Sequence, residues 1–177
     1  MTDNADLLAL VREIADHPKP GIAFRDISTL LLDGAAFQTA IDRMAELLDD
    51  TQPCMLAGIE ARGFIFASAL AYRMGWGMIM LRKPGKLPGT RLSIEYELEY
   101  GSDTLEMHDD ACVPDTPVVL VDDLLATGGT ALAAARLLRD AGARVEQALF
   151  AIDLADLGGA DRLREENIPV RSLINIG

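Results

Sequence analysis

Residues 118–130, VVLVDDLLATGGT, join an unbroken apolar run to two adjacent acids and then to a glycine turn. Val118–Val121 has no alternation of polarity, which suits a strand buried on both faces of a parallel sheet. Asp122 and Asp123 are expected to end that strand. Two carboxylates beside a buried run are costly unless a ligand needs acceptors there, and hydroxyl groups are the natural ligand. Ala126, Thr127, Gly128, Gly129 and Thr130 lead into Ala131–Asp140, an alanine- and leucine-rich stretch of helical character. The free N–H groups and positive dipole end at such a helix start favour an anion, above all a phosphate. Acceptors for a diol followed by donors for a phosphate match the polarity of a ribose 5-phosphate. Neither G-x-x-x-x-G-K-[ST] nor G-x-G-x-x-G is present, so the usual ATP-loop and dinucleotide signatures are missing.

The same strand, polar turn and helix layout recurs upstream. Cys54–Ile59 reads as a buried strand, EARGF (60–64) as the turn, and the apolar stretch to about Met74 as the helix. In a parallel sheet both turns lie at carboxyl ends, so Arg62 is placed to meet a second phosphate group. Met78–Leu81 is a third buried strand. RKPGKLPGTR (82–91) follows, with prolines, glycines and the cations Arg82, Lys83 and Lys86. It is expected to be a mobile basic loop able to close over a polyphosphate. RLSIEYELEYG then alternates, with Leu92, Ile94, Tyr96, Leu98 and Tyr100 on one face, and Asp103–His108 alternates again. A hairpin around Gly101 is expected. His108 reads as a partly exposed strand residue. Strands at Val145–Ile152 and Val170–Ile174, a short helix near Ala160–Glu166 and a stop at Gly142 complete an α/β pattern.

The N-terminal third is less regular. Leu7, Leu8, Val11 and Ile14 are spaced for a helix from an Asp3 cap to about Ala15, and Phe37, Ile41, Met44 and Leu48 for another starting near Gly34. Between them HPKPGIAFRDIS (17–28) is a stiffened loop. Its backbone can pair with the edge of a heterocycle while Phe24 or Ile22 packs on the face.

With 177 residues and 50% hydrophobic composition, the chain is long enough for one domain with a substantial core. Charges and glycines interrupt every apolar stretch before membrane-spanning length, and the first residues are acidic. A soluble cytoplasmic protein is expected, with no membrane role. Cys54 and Cys112 belong to no metal or redox motif and read as reduced thiols. A formal charge of −12 opposes nucleic-acid binding. Against that background Arg62, Arg82, Lys83, Lys86 and Arg91 fall within thirty residues, a local cationic excess.

VVLVDDLLATGGT resembles the phosphoribosyl pyrophosphate (PRPP) motif of the type I phosphoribosyltransferases, and LLATGGT is most similar to their adenine-using branch. PKPGI-x-FRDI (18–27) is similar to that branch's base-recognition segment, with His17 standing where an aromatic is more usual. The resemblance covers nearly the whole chain. It implies one domain over 1–177 with the type I phosphoribosyltransferase fold: a mostly parallel sheet flanked by helices, a small hood from 1–34, and a lid and hairpin from 82–108. The implied reaction is adenine plus PRPP to AMP plus pyrophosphate. Asp122 and Asp123 would hold the ribose hydroxyls, and Ala126–Thr130 the 5′-phosphate. Glu60, Ala61 and Arg62, a turn in which the family has an acid or its neighbour in an unusual peptide conformation, would meet the pyrophosphate through backbone groups and Arg62, together with Arg82, Lys83 and Lys86. The backbone at Ala23 and Arg25 would pair with adenine, between Phe24 and Leu154. Glu99 of YELEYG would be the general acid/base, with Glu97 the rival position. Mg²⁺ would be held mainly by PRPP and pyrophosphate, and the family implies a homodimer in which a basic residue near Arg82 reaches the neighbouring site. Two alternatives stay open: a transferase for another nucleobase, although no lysine lies near Leu154, and a PRPP-sensing regulator, which the charge and Glu99 oppose.

Overall fold

A computed structural model describes residues 4–17, 19–52, 54–97 and 101–177. Its centre is a five-stranded sheet in which every neighbouring pair is parallel, in the order β4 (Gly77–Leu81), β3 (Met55–Ile59), β7 (Pro117–Leu125), β8 (Arg144–Leu154), β9 (Val170–Ile176). The apolar run explains why β7 is central. Val118, Val119, Leu120 and Val121 are all fully buried, and they alternate between two cores, Val118 and Leu120 on one face and Val119 and Val121 on the other. The first face is covered by α5 (Gly129–Asp140), α6 (Gly159–Glu165) and a hairpin of β5 (Arg91–Glu97) and β6 (Ser102–His108). The second is covered by α3 (Gly34–Glu46) and α4 (Gly63–Met74). Asp33 caps α3, its carboxylate accepting from Ala35 and Ala36 N–H at 3.0 Å each.

The chain leaves β3 through α4 to β4 in one direction, and leaves β7 through α5 to β8 in the other. The turns after β3 and β7 therefore diverge, which opens a crevice at the carboxyl ends of two adjacent strands.

The N-terminal helix is shorter than its spacing predicts. Helix α1 covers only Ala5–Leu8, and Arg12–Ile14 is instead strand β1, paired antiparallel with β2 (Phe24–Asp26) inside the expected loop. Leu7 alone of the four spaced apolar residues is fully buried, so a longer helix would bury little. Helix α2 (Ser28–Leu32) connects this hairpin to α3. Strand β7 runs on to Leu125, so the two acids lie within the ladder rather than after it. Strand β4 is an edge strand and Met80 is exposed on it. The basic loop also contributes to the interior, since Leu87 is only 5% exposed. Cys54 is buried, which pushes its thiol up to about 11, and Cys112 is half-buried with its thiol also raised by burial. Among the described residues no helix is long and apolar enough to cross a membrane.

Candidate active site

The crevice holds an open cavity of about 980 Å³. One wall is the β7–α5 junction, with Asp122 and all of Ala126–Thr130 on its surface. Gly128 sits at φ +82°, a left-handed conformation, and a Cβ there would come within 3.0 Å of the Gly159 carbonyl. A Cβ on Gly159 would in turn lie 2.2 Å from the Ala126 carbonyl. Glycine is required at both positions because the turn is pressed against the start of α6. The first backbone bond of α5 runs from Leu132 N–H to Gly128 O at 2.9 Å, which leaves the preceding N–H groups of the turn for a ligand.

The two acids differ in setting. Asp122 is half-buried and lines the cavity, and Gly63 opens α4 so close to it that a Cβ there would lie 2.6 Å from Asp122 Oδ1. Asp123 is 4% exposed, with Oδ2 3.0 Å from Arg62 Nε. That ion pair lacks hydrogen-bond geometry, so among the described residues this buried oxygen receives no donor. Burial, then the neighbouring Asp123 charge, pushes the Asp122 carboxyl well above the usual carboxylate range. Asp123 is raised as well by burial, partly opposed by Arg62. A paired acceptor site held at this electrostatic cost is suited to hydroxyl donors.

Arg62 also stands 5.2 Å from the centroid of the Phe24 ring, which links this end of the cavity to the hood. Ala23, Phe24 and Arg25 line the cavity opposite Leu154. His17 meets the Phe24 ring edge-on at 5.0 Å, so the imidazole provides the ring contact expected of an aromatic at that position. Arg25 is ion-paired to Glu13 of β1, and Arg12 to Asp26. Hydrogen bonds from Ser28 and then Arg12 hold the Asp26 carboxyl well below the usual range.

The remaining expected phosphate ligands lie beside the cavity rather than on its surface. The Glu60–Ala61 peptide is cis. The Glu60 carboxylate accepts from Lys83 N–H at 2.8 Å and from Arg82 Nε and Nη2 at 3.2 and 3.3 Å. Lys83 pairs with Asp103 and donates to the Tyr96 hydroxyl at 3.1 Å, while the Lys86 carbonyl accepts from Arg82 at 3.1 Å. Tyr96 lies 3.4 Å from Thr130 Oγ1, so the base of the basic loop and the phosphate turn are joined through one tyrosine. Glu97 lines the cavity; Glu99 lies outside the described residues, with Leu98 and Tyr100.

Arg162 was not singled out by the sequence. It lies on α6, lines the cavity, and donates from Nη1 to the Thr127 carbonyl at 2.6 Å. Nothing local marks it in the sequence except the preceding Gly158-Gly159, because its place depends on α6 folding back against the turn.

Comparison with known proteins agrees with this geometry. Residues 28–176 match the phosphoribosyl transferase domain family. The adenine phosphoribosyltransferase of Rhodopseudomonas palustris (strain BisB5) is 53% identical over 172 residues, 97% of this chain and 95% of the relative. The crystal structure of the Thermoanaerobacter pseudethanolicus adenine phosphoribosyltransferase superposes with a TM-score of 0.93 at 45% identity, covering 97% of this chain and 99% of that one. The Saccharomyces cerevisiae adenine phosphoribosyltransferase, solved with an imino-altritol bisphosphate and adenine, superposes with a TM-score of 0.88 at 34% identity, covering 96% and 97%. The parallel sheet, the crevice at its switch point and these similarities together place the chain in the phosphoribosyltransferase family, among the adenine phosphoribosyltransferases.

Proposed function

We propose that this protein transfers the phosphoribosyl group of PRPP to adenine, forming AMP and pyrophosphate in purine salvage. The observation that carries the reading is that one cavity is lined by the ribose-phosphate motif, the Ala23–Arg25 loop and Leu154. Asp122 and Asp123 hold the ribose diol, and the 126–130 turn holds the 5′-phosphate through backbone N–H groups. As the bond from C1 to pyrophosphate lengthens, the ring gains positive charge next to two carboxylates, whose role is electrostatic and positional. Arg62 meets the leaving pyrophosphate. Arg82, Lys83 and Lys86 join it when the loop closes, Arg82 and Lys83 exchanging their present partners Glu60 and Asp103 for phosphate oxygens. Adenine pairs with the backbone at Ala23 and Arg25 between Phe24 and Leu154. Glu99 accepts the proton that the imidazole edge sheds as the ring nitrogen bonds to C1, and releases it to solvent before the next turnover.

The donor set fits a Mg²⁺ held mainly by substrate oxygens, because Asp122 presents a carboxylate on the cavity surface at the ribose end. When bound, the ion would act as a Lewis acid on the departing pyrophosphate. The protein works in the cytoplasm as a homodimer. Exposed Ile65 and Tyr72 on α4 and Met80 on edge strand β4 provide apolar surface for the dimer, in which a basic residue near Arg82 would reach the partner's site. Incubation of the purified protein with PRPP, Mg²⁺ and each of adenine, hypoxanthine, guanine and uracil tests the reading. AMP should be the sole nucleotide formed; IMP, GMP or UMP would assign the enzyme to another base.

A further inference from the structure

Three arginines line the cavity, and two are already paired: Arg25 with Glu13, and Arg62 with Asp123. Arg162 has no carboxylate partner among the described residues, and it stands at the phosphate turn. We propose that Arg162 is a positioning residue for the 5′-phosphate, an inference that rests on the PRPP reading of the cavity. Its Nη1 donates to the Thr127 carbonyl at 2.6 Å, and that carbonyl shares a peptide group with the Gly128 N–H. A charged donor on the oxygen polarises the peptide and strengthens the N–H as a donor. The bond also fixes which way the peptide faces, with the carbonyl held towards α6. The glycine contact between Gly128 and Gly159 sets the distance across which Arg162 acts. Beyond the bond to Thr127, the guanidinium brings a net positive charge to an anion site otherwise built from neutral backbone groups, which suits a phosphate monoester dianion.

Titration of three separate ligands distinguishes this role from simple packing of α6. Arg162→Gln should weaken ribose 5-phosphate and PRPP by about tenfold, the scale of one lost charge-assisted hydrogen bond, and leave adenine and inorganic pyrophosphate within twofold. Arg162→Lys, which keeps the charge and a donor, should recover most of the loss. Ribose 5-phosphate affinity unchanged in Arg162→Gln would overturn the proposal, as would equal weakening of adenine or a lysine variant no better than glutamine. A wild-type protein that binds neither ribose 5-phosphate nor PRPP would remove the reading of the cavity itself, a result distinct from either.

Discussion

The two walls of the cavity are held by different forces. The β7–α5 wall rests on close contact: a fully buried run from Val118 to Val121, and Gly128 seated against Gly159. The opposite side is the hood, which lines the cavity at Gly21–Arg25, with the hairpin entering at Glu97 and the basic loop beside it; apart from core contacts such as Leu105 and Met107, it is tied together by ion pairs. Arg12–Asp26, Arg25–Glu13, Arg82–Glu60, Lys83–Asp103 and Arg91–Glu106 all belong to it. Close-packed wall keeps its shape with or without a ligand. A partly exposed pair such as Lys83–Asp103 contributes about 0–1 kcal/mol and can be traded for phosphate oxygens at little net expense, whereas the pairs on buried Asp26 and Glu106 hold the cover in shape. The contrast teaches that PRPP meets a preset cradle and an exchangeable cover.

If the cover carries the proton chemistry, its largest effect is on turnover. Glu99→Ala should lower kcat by about 10²–10⁴ while PRPP still binds, the range typical of a positioned acid or base. Glu97→Ala should fall far less; near-normal turnover in Glu99→Ala would return the role to Glu97 or remove it from the hairpin.

Next in size is a matched pair of glycine substitutions. Gly128→Ala forces a side chain into a left-handed backbone against Gly159 and should cost about 1–3 kcal/mol, or roughly 2–4 °C of melting temperature per kcal/mol in a chain of this length. Gly85→Ala in the basic loop has a similar φ of +73° but nothing within 4 Å of its Cβ, so it should lose less. Equal losses by calorimetry would mean that the two walls are not packed differently.

Asp122→Asn should move stability the other way. The folded-state pKa of Asp122 lies above its unfolded value of about 3.9, so the folded form holds the proton more tightly and the ionised pair destabilises the free protein at neutral pH. The unliganded wild type should therefore gain stability as pH falls from the folded pKa towards about 3.9. The asparagine variant should melt higher at pH 7 and show a flatter pH dependence in thermal melts. A lower melting point at pH 7 would count against a strained acid pair.

The smallest change in stability belongs to the cover. Lys83→Ala removes a partly exposed ion pair with Asp103, and by thermal melting should alter stability by less than about 1 kcal/mol. Its effect should appear in the KM for PRPP, and should shrink as salt is raised.

This division also decides what could be read from sequence. The cradle was legible because its parts are contiguous: the apolar run, the acids and TGGT predict strand, acceptors and anion turn from thirteen neighbouring residues. Even there, the acids proved to lie inside β7, since ladder pairing with β8 extends to Leu125. The hood was misread where a distant partner decided the outcome. Arg12–Ile14 follows a helical spacing yet pairs as a strand with Phe24–Asp26, a contact invisible to periodicity. In RKPGKLPGTR the charges are obvious, but their acidic partners Glu60, Asp103 and Glu106 come from elsewhere in the chain, as does the niche that buries Leu87. Arg162 was missed for the same reason.

The central claim is that the cradle binds the ribose phosphate independently of the base end, and direct titration of the Asp122→Asn, Asp123→Asn double variant tests it. PRPP affinity should fall by at least tenfold, the scale of losing charged acceptors for two hydroxyls, with adenine affinity nearly unchanged. Equal weakening of PRPP and adenine would contradict the assignment of these acids to the ribose.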